Sequence, residues 1–230
     1  MSQNTHISYT LFIDADDTLW ENNIYFEQAT SNFIQFLRHS TLSPQEVEAV
    51  INEIQHQLGY GFQKFTESLI ATYRQLSERP IQDEDIEQIR TFGTQLANHP
   101  MEVLDGVEQT LRDLSHRHTL VLVTKGHAEE QQLKVERSSL ADYFEHIIVL
   151  PEKHPEAYQQ LLQQLHLDAT TTWMIGNSPH SDINASRQAG LNTVFIPHAH
   201  TWRAELTALW LDGPGKHLVL QKFAELSEHF

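Results

Sequence analysis

The 230-residue chain contains no cysteine. Disulfides, thiolate nucleophiles and cysteine-ligated zinc are therefore excluded. Basic residues are also scarce: 15 Lys+Arg stand against 31 Asp+Glu, a formal charge of −16. Phosphate backbones bind basic patches, so this balance disfavours a nucleic-acid polymer as partner, while a small phosphate pocket depends only on local charge. No apolar run approaches the roughly 20 residues that cross a bilayer. The polar start Met1-Ser2-Gln3-Asn4-Thr5-His6 lacks the charged and apolar regions of a signal peptide. No membrane partner and a cytoplasmic location are expected. Internal repeats and low-complexity tracts are absent too.

What the chain does have is enough apolar material, 40% of residues, for one good core or a core with a satellite. Its 15 histidines are scattered. The pairs His116/His118 and His198/His200 fall in expected turns and read as loop residues rather than metal ligands.

One segment stands out. Leu11, Phe12 and Ile13 form an apolar run, as in a parallel strand buried on both faces, and the run stops abruptly at Asp14-Ala15-Asp16-Asp17-Thr18. Carboxylates at the C-terminal end of such a strand lie where open α/β folds place their ligands. Acids this dense repel one another unless a cation is held between them. Magnesium suits the role, because it takes oxygen ligands and often shares them with a substrate phosphate. The competing reading is an ordinary loop that caps the following segment.

After this strand the pattern turns helical. Phe26, Phe33, Ile34 and Leu37 share a face over 26–37. Ser43, Pro44 and Glu46 form a capping box with proline at the first helical position, and Val47, Val50, Ile51, Ile54 and Leu58 continue that helix with amphipathic spacing. Further helices are expected over 62–76 and 83–97. The Gly59-Tyr60-Gly61 stretch, just before the helix over 62–76, reads first as a helix break and second as a substrate contact. From Asp105 onward strands and helices alternate: a capping box at Asp105-Gly106-Val107-Glu108, strands over 119–123, 146–150, 172–175 and 192–196, helices over 127–138, 155–165 and 181–189, an edge strand at 218–219 and a last helix over 221–228. Alternation of this kind predicts an α/β fold, a Rossmann-like three-layer core with a parallel sheet and helices on both faces. The core comprises residues 1–20 and 101–230, and residues 21–100 form a helical domain inserted after the acidic loop.

Three more strand ends carry polar residues. The second ends in Thr124-Lys125-Gly126, a hydroxyl followed by a turn whose N–H groups lead into a helix, an arrangement that cradles anions. After the third comes Lys153, placed to neutralise a phosphate or a phosphoaspartate. The fourth ends in Gly176-Asn177, with Asp182 following. Trp20, with Glu21 and Asn22, is placed to line the entrance, and the segment from His198 to Trp202 to add to the rim.

In this order the motifs resemble those of the haloacid dehalogenase (HAD) superfamily. Its first motif, Asp-x-Asp-x-Thr, matches Asp14, Asp16 and Thr18; the second matches Thr124; the third matches Lys153; the fourth matches Gly176-Asn177 with Asp182. The resemblance covers essentially the whole chain, and the helical insertion looks like a C1 cap that sets substrate choice. Asn177 stands where aspartate is usual and brings no charge to the metal site. Lys153 is followed by histidine rather than directly by proline. The resemblance implies phosphate monoester hydrolysis with Mg²⁺, acting on a small phosphorylated metabolite. Asp14 is then the nucleophile and Asp16 the acid/base, which requires surroundings that raise the Asp16 pKa. Asp14, the Asp16 carbonyl and Asn177 would hold the metal, with Asp182 behind them. Thr124 and Lys153, helped by Lys125 and Gly126, would bind the phosphoryl oxygens. A metal-independent 2-haloacid dehalogenase, a phosphomutase and a noncatalytic phosphometabolite-binding protein are the alternatives; the retained Asp16 argues against the first. The oligomeric state is not legible.

Overall fold

The computed structural model describes residues 8–230. The polar start read above, residues 1–6, lies outside the described residues. By internal contacts the chain divides into two compact units, one running up to Glu21 and resuming as Met101–Phe230, the other Asn22–Pro100.

The first unit opens with strand β1 (Thr10–Ile13). The second unit is wholly helical: α1 (Asn23–Leu37), α2 (Pro44–Leu58), α3 (Phe62–Leu76) and α4 (Asp83–Ala97). At the start of α2 the Glu46 N–H donates to Ser43 Oγ at 3.3 Å, and the Ser43 N–H donates back to Glu46 Oε2 at 2.8 Å. Two otherwise orphaned helix-end donors are thereby satisfied. Phe33, Val47, Ile51, Phe65, Leu69, Tyr73 and Ile89 form the interior of this unit. Each fully buried large side chain contributes roughly 1.5–3 kcal/mol of transfer free energy. Leu58, at the end of the expected apolar stripe, is 38% exposed. Gly59 and Gly61 make the break between α2 and α3 with φ of 99° and 102°, values that L-residues rarely adopt.

The first unit then continues through α5 (Val107–Ser115), β2 (Thr119–Lys125), α6 (Ala128–Ser138), β3 (His146–Leu150), α7 (Pro155–Gln164), β4 (Thr172–Gly176), α8 (Ala185–Gln188), β5 (Asn192–Phe195) and β6 (His217–Val219). The strands form one sheet in the order β3-β2-β1-β4-β5-β6, every neighbour parallel. Alternate residues divide the core into two layers, as the period of a strand demands. Leu11, Ile13, Leu120, Leu122, Trp173 and Ile175 pack with Leu111, Leu114 and Val135. Phe12, Val121, Val123 and Met174 pack on the other face with Tyr158 and Leu161 of α7. The result is the three-layer, Rossmann-like α/β core expected. Chain order reverses direction about β1 and β4, so the ligand crevice of such a sheet falls at their C-terminal ends. Among the described residues no helix is long and apolar enough to cross a membrane.

Four local expectations are corrected. Asp105 does not cap α5: the N-cap is Gly106, whose left-handed φ of 80° sets Asp105 outside the helix, and no side chain caps it. Strand β2 reaches Lys125, because β3 continues to pair with it, Thr124 against Val149 and Lys125 against Leu150. Residues 179–184 are not α-helical but a π-helical turn, in which the Ile183 N–H donates to Ser178 O at 3.2 Å. The last expected helix is a short 3₁₀ segment, Phe223–Glu228.

Candidate active site

Asp14 sits one residue past β1, where its N–H still donates to Ile175 O of β4 at 2.9 Å. Its carboxylate therefore lies at the point where the sheet reverses. The β3–α7 connection carries Lys153 to the same place. Its ammonium donates to Asp14 Oδ1 at 2.5 Å and to Asp182 Oδ1 at 2.7 Å. Asp14, Lys153 and Asp182 are all buried. A buried cation between two carboxylates leaves one negative charge uncompensated. Burial, reinforced by the charge of Asp14, accordingly pushes Asp182 up to about 7 against the opposing pull of Lys153. For Lys153 burial works toward the neutral form, but the two carboxylates outweigh it and hold the lysine protonated, above its ordinary value.

The β4 end supplies the amide. Asn177 Nδ2 donates to Thr201 Oγ1 at 2.9 Å, which turns Asn177 Oδ1 toward Thr18. Thr18 Oγ1 lies 3.1 Å from Asp14 Oδ2 and 3.2 Å from Asn177 Oδ1. One hydroxyl proton serves only one of these acceptors. Three oxygens thus converge with a donor for one of them, a set that fits a hard, oxygen-seeking cation. Both oxygens of Asp182 are already engaged, one by Lys153 and the other by the Ser178 N–H at 2.9 Å, so Asp182 stands behind that set. Gly176 makes room for it: a Cβ there would lie 2.2 Å from Asp182 Oδ2.

Asp16 points into a different set of partners. Trp20 Nε1 donates to its Oδ1 at 2.7 Å, Gln131 Nε2 to its Oδ2 at 2.9 Å, and Lys134 Nζ to both oxygens at 3.1 and 2.9 Å. Burial would raise this carboxyl, but Lys134 and the other donors prevail and hold it below the usual value. The expectation of a raised Asp16 pKa is thus corrected, because every partner of the carboxylate is a donor and one is charged. Trp20 is corrected as well. It is fully buried, packed in the core beside Leu19 and Val107 rather than lining an entrance.

Thr124 is buried, with its hydroxyl 3.5 Å from Gln131 Oε1, and so connects to Asp16 through that amide. Lys125 and Gly126 are not placed as the sequence suggested. The Lys125 ammonium donates to Ser181 Oγ at 3.0 Å and forms a short ion pair with the buried Glu205. Burial raises Glu205, but Lys125 and the Ser181 donors bring it below its ordinary value. The Gly126 N–H is committed to Leu150 O at 3.0 Å. The segment after β5 does join the site, through Thr201 on Asn177 and through Trp202, whose ring lies 5.9 Å from Lys125 Nζ.

Gln131, Lys134 and Glu205 carry interactions here that sequence reasoning did not assign. Another cluster was also missed. Asp17, Glu21 and His198 bring ligand-type atoms within 4.8 Å of one another. The His198 ring sits between the acids, with Nε2 3.3 Å from Glu21 Oε2 and Nδ1 3.8 Å from Asp17 Oδ1. The His200 N–H donates to that Nδ1 at 3.3 Å.

Carboxylates, a buried lysine and an amide oxygen, gathered at the switch point of a doubly wound parallel sheet, define a hydrolytic enzyme of the three-layer α/β class. The chain belongs to the haloacid dehalogenase-like hydrolase family, whose model matches residues 11–196. It is 26% identical over 199 residues to a glyceraldehyde 3-phosphate phosphatase of Pyrococcus abyssi, covering 82% of this chain and 81% of that one. The protein of the same name from Pyrococcus furiosus is 24% identical over 200 residues, covering 82% and 80%. A haloacid dehalogenase-like hydrolase from Xanthomonas campestris superposes with a TM-score of 0.84 at 29% identity, covering 97% of this chain and 95% of that one.

Proposed function

We propose that the enzyme is a Mg²⁺-dependent phosphatase of small phosphate monoesters. The observation that carries this reading is the oxygen set of Asp14, Thr18 and Asn177 closed on one side by the buried Lys153. Magnesium, held by Asp14, the Asp16 carbonyl and Asn177 with Asp182 behind, would supply positive charge for the transferring phosphoryl group. The Asp14 carboxylate attacks phosphorus, and the bond to the ester oxygen breaks as that oxygen takes a proton through Asp16, which is ionised in the free site and has to gain that proton as substrate enters. Asp16, then ionised, takes a proton from the water that splits the aspartyl phosphate. Lys153, which donates to Asp14 Oδ1 at 2.5 Å, compensates charge on the phosphoryl oxygens. Thr124 is assigned to the same oxygens.

The names of the two Pyrococcus relatives support a phosphorylated small molecule and make glyceraldehyde 3-phosphate the first substrate to try. The helical unit, inserted between β1 and β2, takes the role of a C1 cap, and the enzyme is placed in the cytoplasm. Asp16 separates this reading from a haloacid dehalogenase, which has no use for a second acid. Purified protein is expected to release phosphate from p-nitrophenyl phosphate and from a panel of metabolite esters only with Mg²⁺. Chloride release from a 2-haloacid in the presence of chelator, without phosphatase activity, would overturn the proposal.

A further inference from the structure

The grip on Asp16 has parts that the hydrolytic scheme leaves without a role. Gln131 and Lys134 stand three residues apart on α6, hence on one helix face. Both reach across to the loop after β1, over 115 and 118 positions of sequence. Gln131 is buried, on the same helix as the core residue Val135. A buried amide is retained at low cost only where its hydrogen bonds are made, and both of its ends are used, the Nε2 on Asp16 and the Oε1 near Thr124. The Lys134 side chain is only 16% exposed, with Glu130 3.8 Å away as a second counter-charge. The Asp16 side chain remains 22% exposed, so the held residue is not sealed from solvent. Trp20, packed in the core, supplies the fixed end of the grip.

We infer that Lys134 and Gln131 are positioning residues that aim Asp16 at the leaving-group oxygen, an inference that rests on the phosphatase reading. With donors on both oxygens the carboxylate plane cannot rotate without breaking several hydrogen bonds, two of them charge-assisted. Without Lys134 and Gln131 only the Trp20 bond remains, and the side chain regains rotamer freedom. A misplacement of about 1 Å in a catalytic group costs on the order of 100-fold in rate. The loss falls on one step only. A leaving group that needs a proton, such as an alkoxide, depends on the aim of Asp16; a p-nitrophenolate leaves without one.

The test compares wild type, Lys134→Met, Lys134→Arg and Gln131→Leu on two esters, p-nitrophenyl phosphate and glycerol phosphate, with Mg²⁺ present. For Lys134→Met, kcat on glycerol phosphate is expected to fall about 30- to 100-fold while kcat on the aryl ester falls less than about fivefold. KM is expected to stay within about twofold on both, because no phosphate contact is touched. Lys134→Arg, which keeps the charge and the donors, restores most of the alkyl-ester rate, and Gln131→Leu shows the same selectivity in weaker form. An equal loss on both esters in soluble, folded variants, or no loss on either, overturns the positioning role. A wild-type enzyme inactive on both esters and on a wider phosphate panel overturns the phosphatase reading itself, and this inference with it.

Discussion

At the scale of single residues, the site depends on one absent methyl group. A Cβ on Gly176 would lie 2.2 Å from Asp182 Oδ2 and 2.5 Å from its Cγ. That carboxylate cannot move aside freely, because Lys153 and the Ser178 N–H hold its two oxygens. Gly176→Ala is therefore expected to displace Asp182 and with it Lys153. The expected result is a loss of kcat of about 100-fold or more for a displacement of this size, with destabilisation of about 1–3 kcal/mol from overpacking. Steady-state kinetics and urea unfolding of the variant check both. Legibility at this scale was uneven. Asp14 and Asn177 are expected at the site because each stands at the end of an apolar run, whereas Lys153 and Asp182 lie farther along their loops and are assigned by the order of the motifs. The role of Trp20 was not legible, since polar neighbours on its C-terminal side suggested a surface position while its side chain is fully buried. No sequence motif links Gln131 or Lys134 to the acidic loop, and only the fold brings them to Asp16.

Among elements, the segment between β5 and β6 lacks long regular structure, yet it borders the site through Thr201 and Glu205. One buried side chain ties it down. Arg187 of α8 donates to the carbonyls of Trp210, Leu211 and Gly213, each at 2.9 Å, and to Lys216 O at 3.3 Å. A lysine cannot reproduce this fork. Arg187→Met leaves those carbonyls without their donor and is expected to cost roughly 3 kcal/mol or more, with Arg187→Lys recovering only part of it. Thermal unfolding measures both, and limited proteolysis is expected to cut the variant first between Ala208 and Gly213. The α2 start and the extents of α3 and α4 were legible because their signals are local: a capping box, an apolar stripe, a Pro boundary. The π-helical turn at 179–184 carries no such local signal. It arises where Ser178 accepts from both Asp182 and Ile183, a geometry that places Ser181 and Asp182 against residues remote in sequence.

For the whole molecule, acid titration should expose the buried charges. Asp16 and Glu205 are held below their ordinary values, so the stability they contribute is present above their unfolded pKa values, near 4, and is lost as pH falls through the folded ones. Asp182 acts in the opposite sense. Raised to about 7, it takes up a proton in the folded state first, so metal-free protein is expected to lose stability as pH rises from about 4 to about 7. Urea midpoints across that range test this, and Asp182→Asn is expected to flatten the slope between pH 4 and 7. An unchanged slope in that variant would remove Asp182 from the account. The parallel sheet and the helical insertion were legible from alternation and periodicity alone. The strand order, which places Asp14 beside β4 rather than at a sheet edge, comes from long-range pairing that periodicity does not encode.

The central claim is that Asp14 is the nucleophile of a magnesium-dependent phosphatase. Its most direct test is the initial rate of phosphate release from a panel of phosphate monoesters, measured for wild type and Asp14→Asn with Mg²⁺ and with EDTA. The account predicts turnover by wild type with Mg²⁺ alone and a loss of at least about 1,000-fold in Asp14→Asn. Turnover that survives intact in Asp14→Asn, or that is indifferent to EDTA, would contradict it.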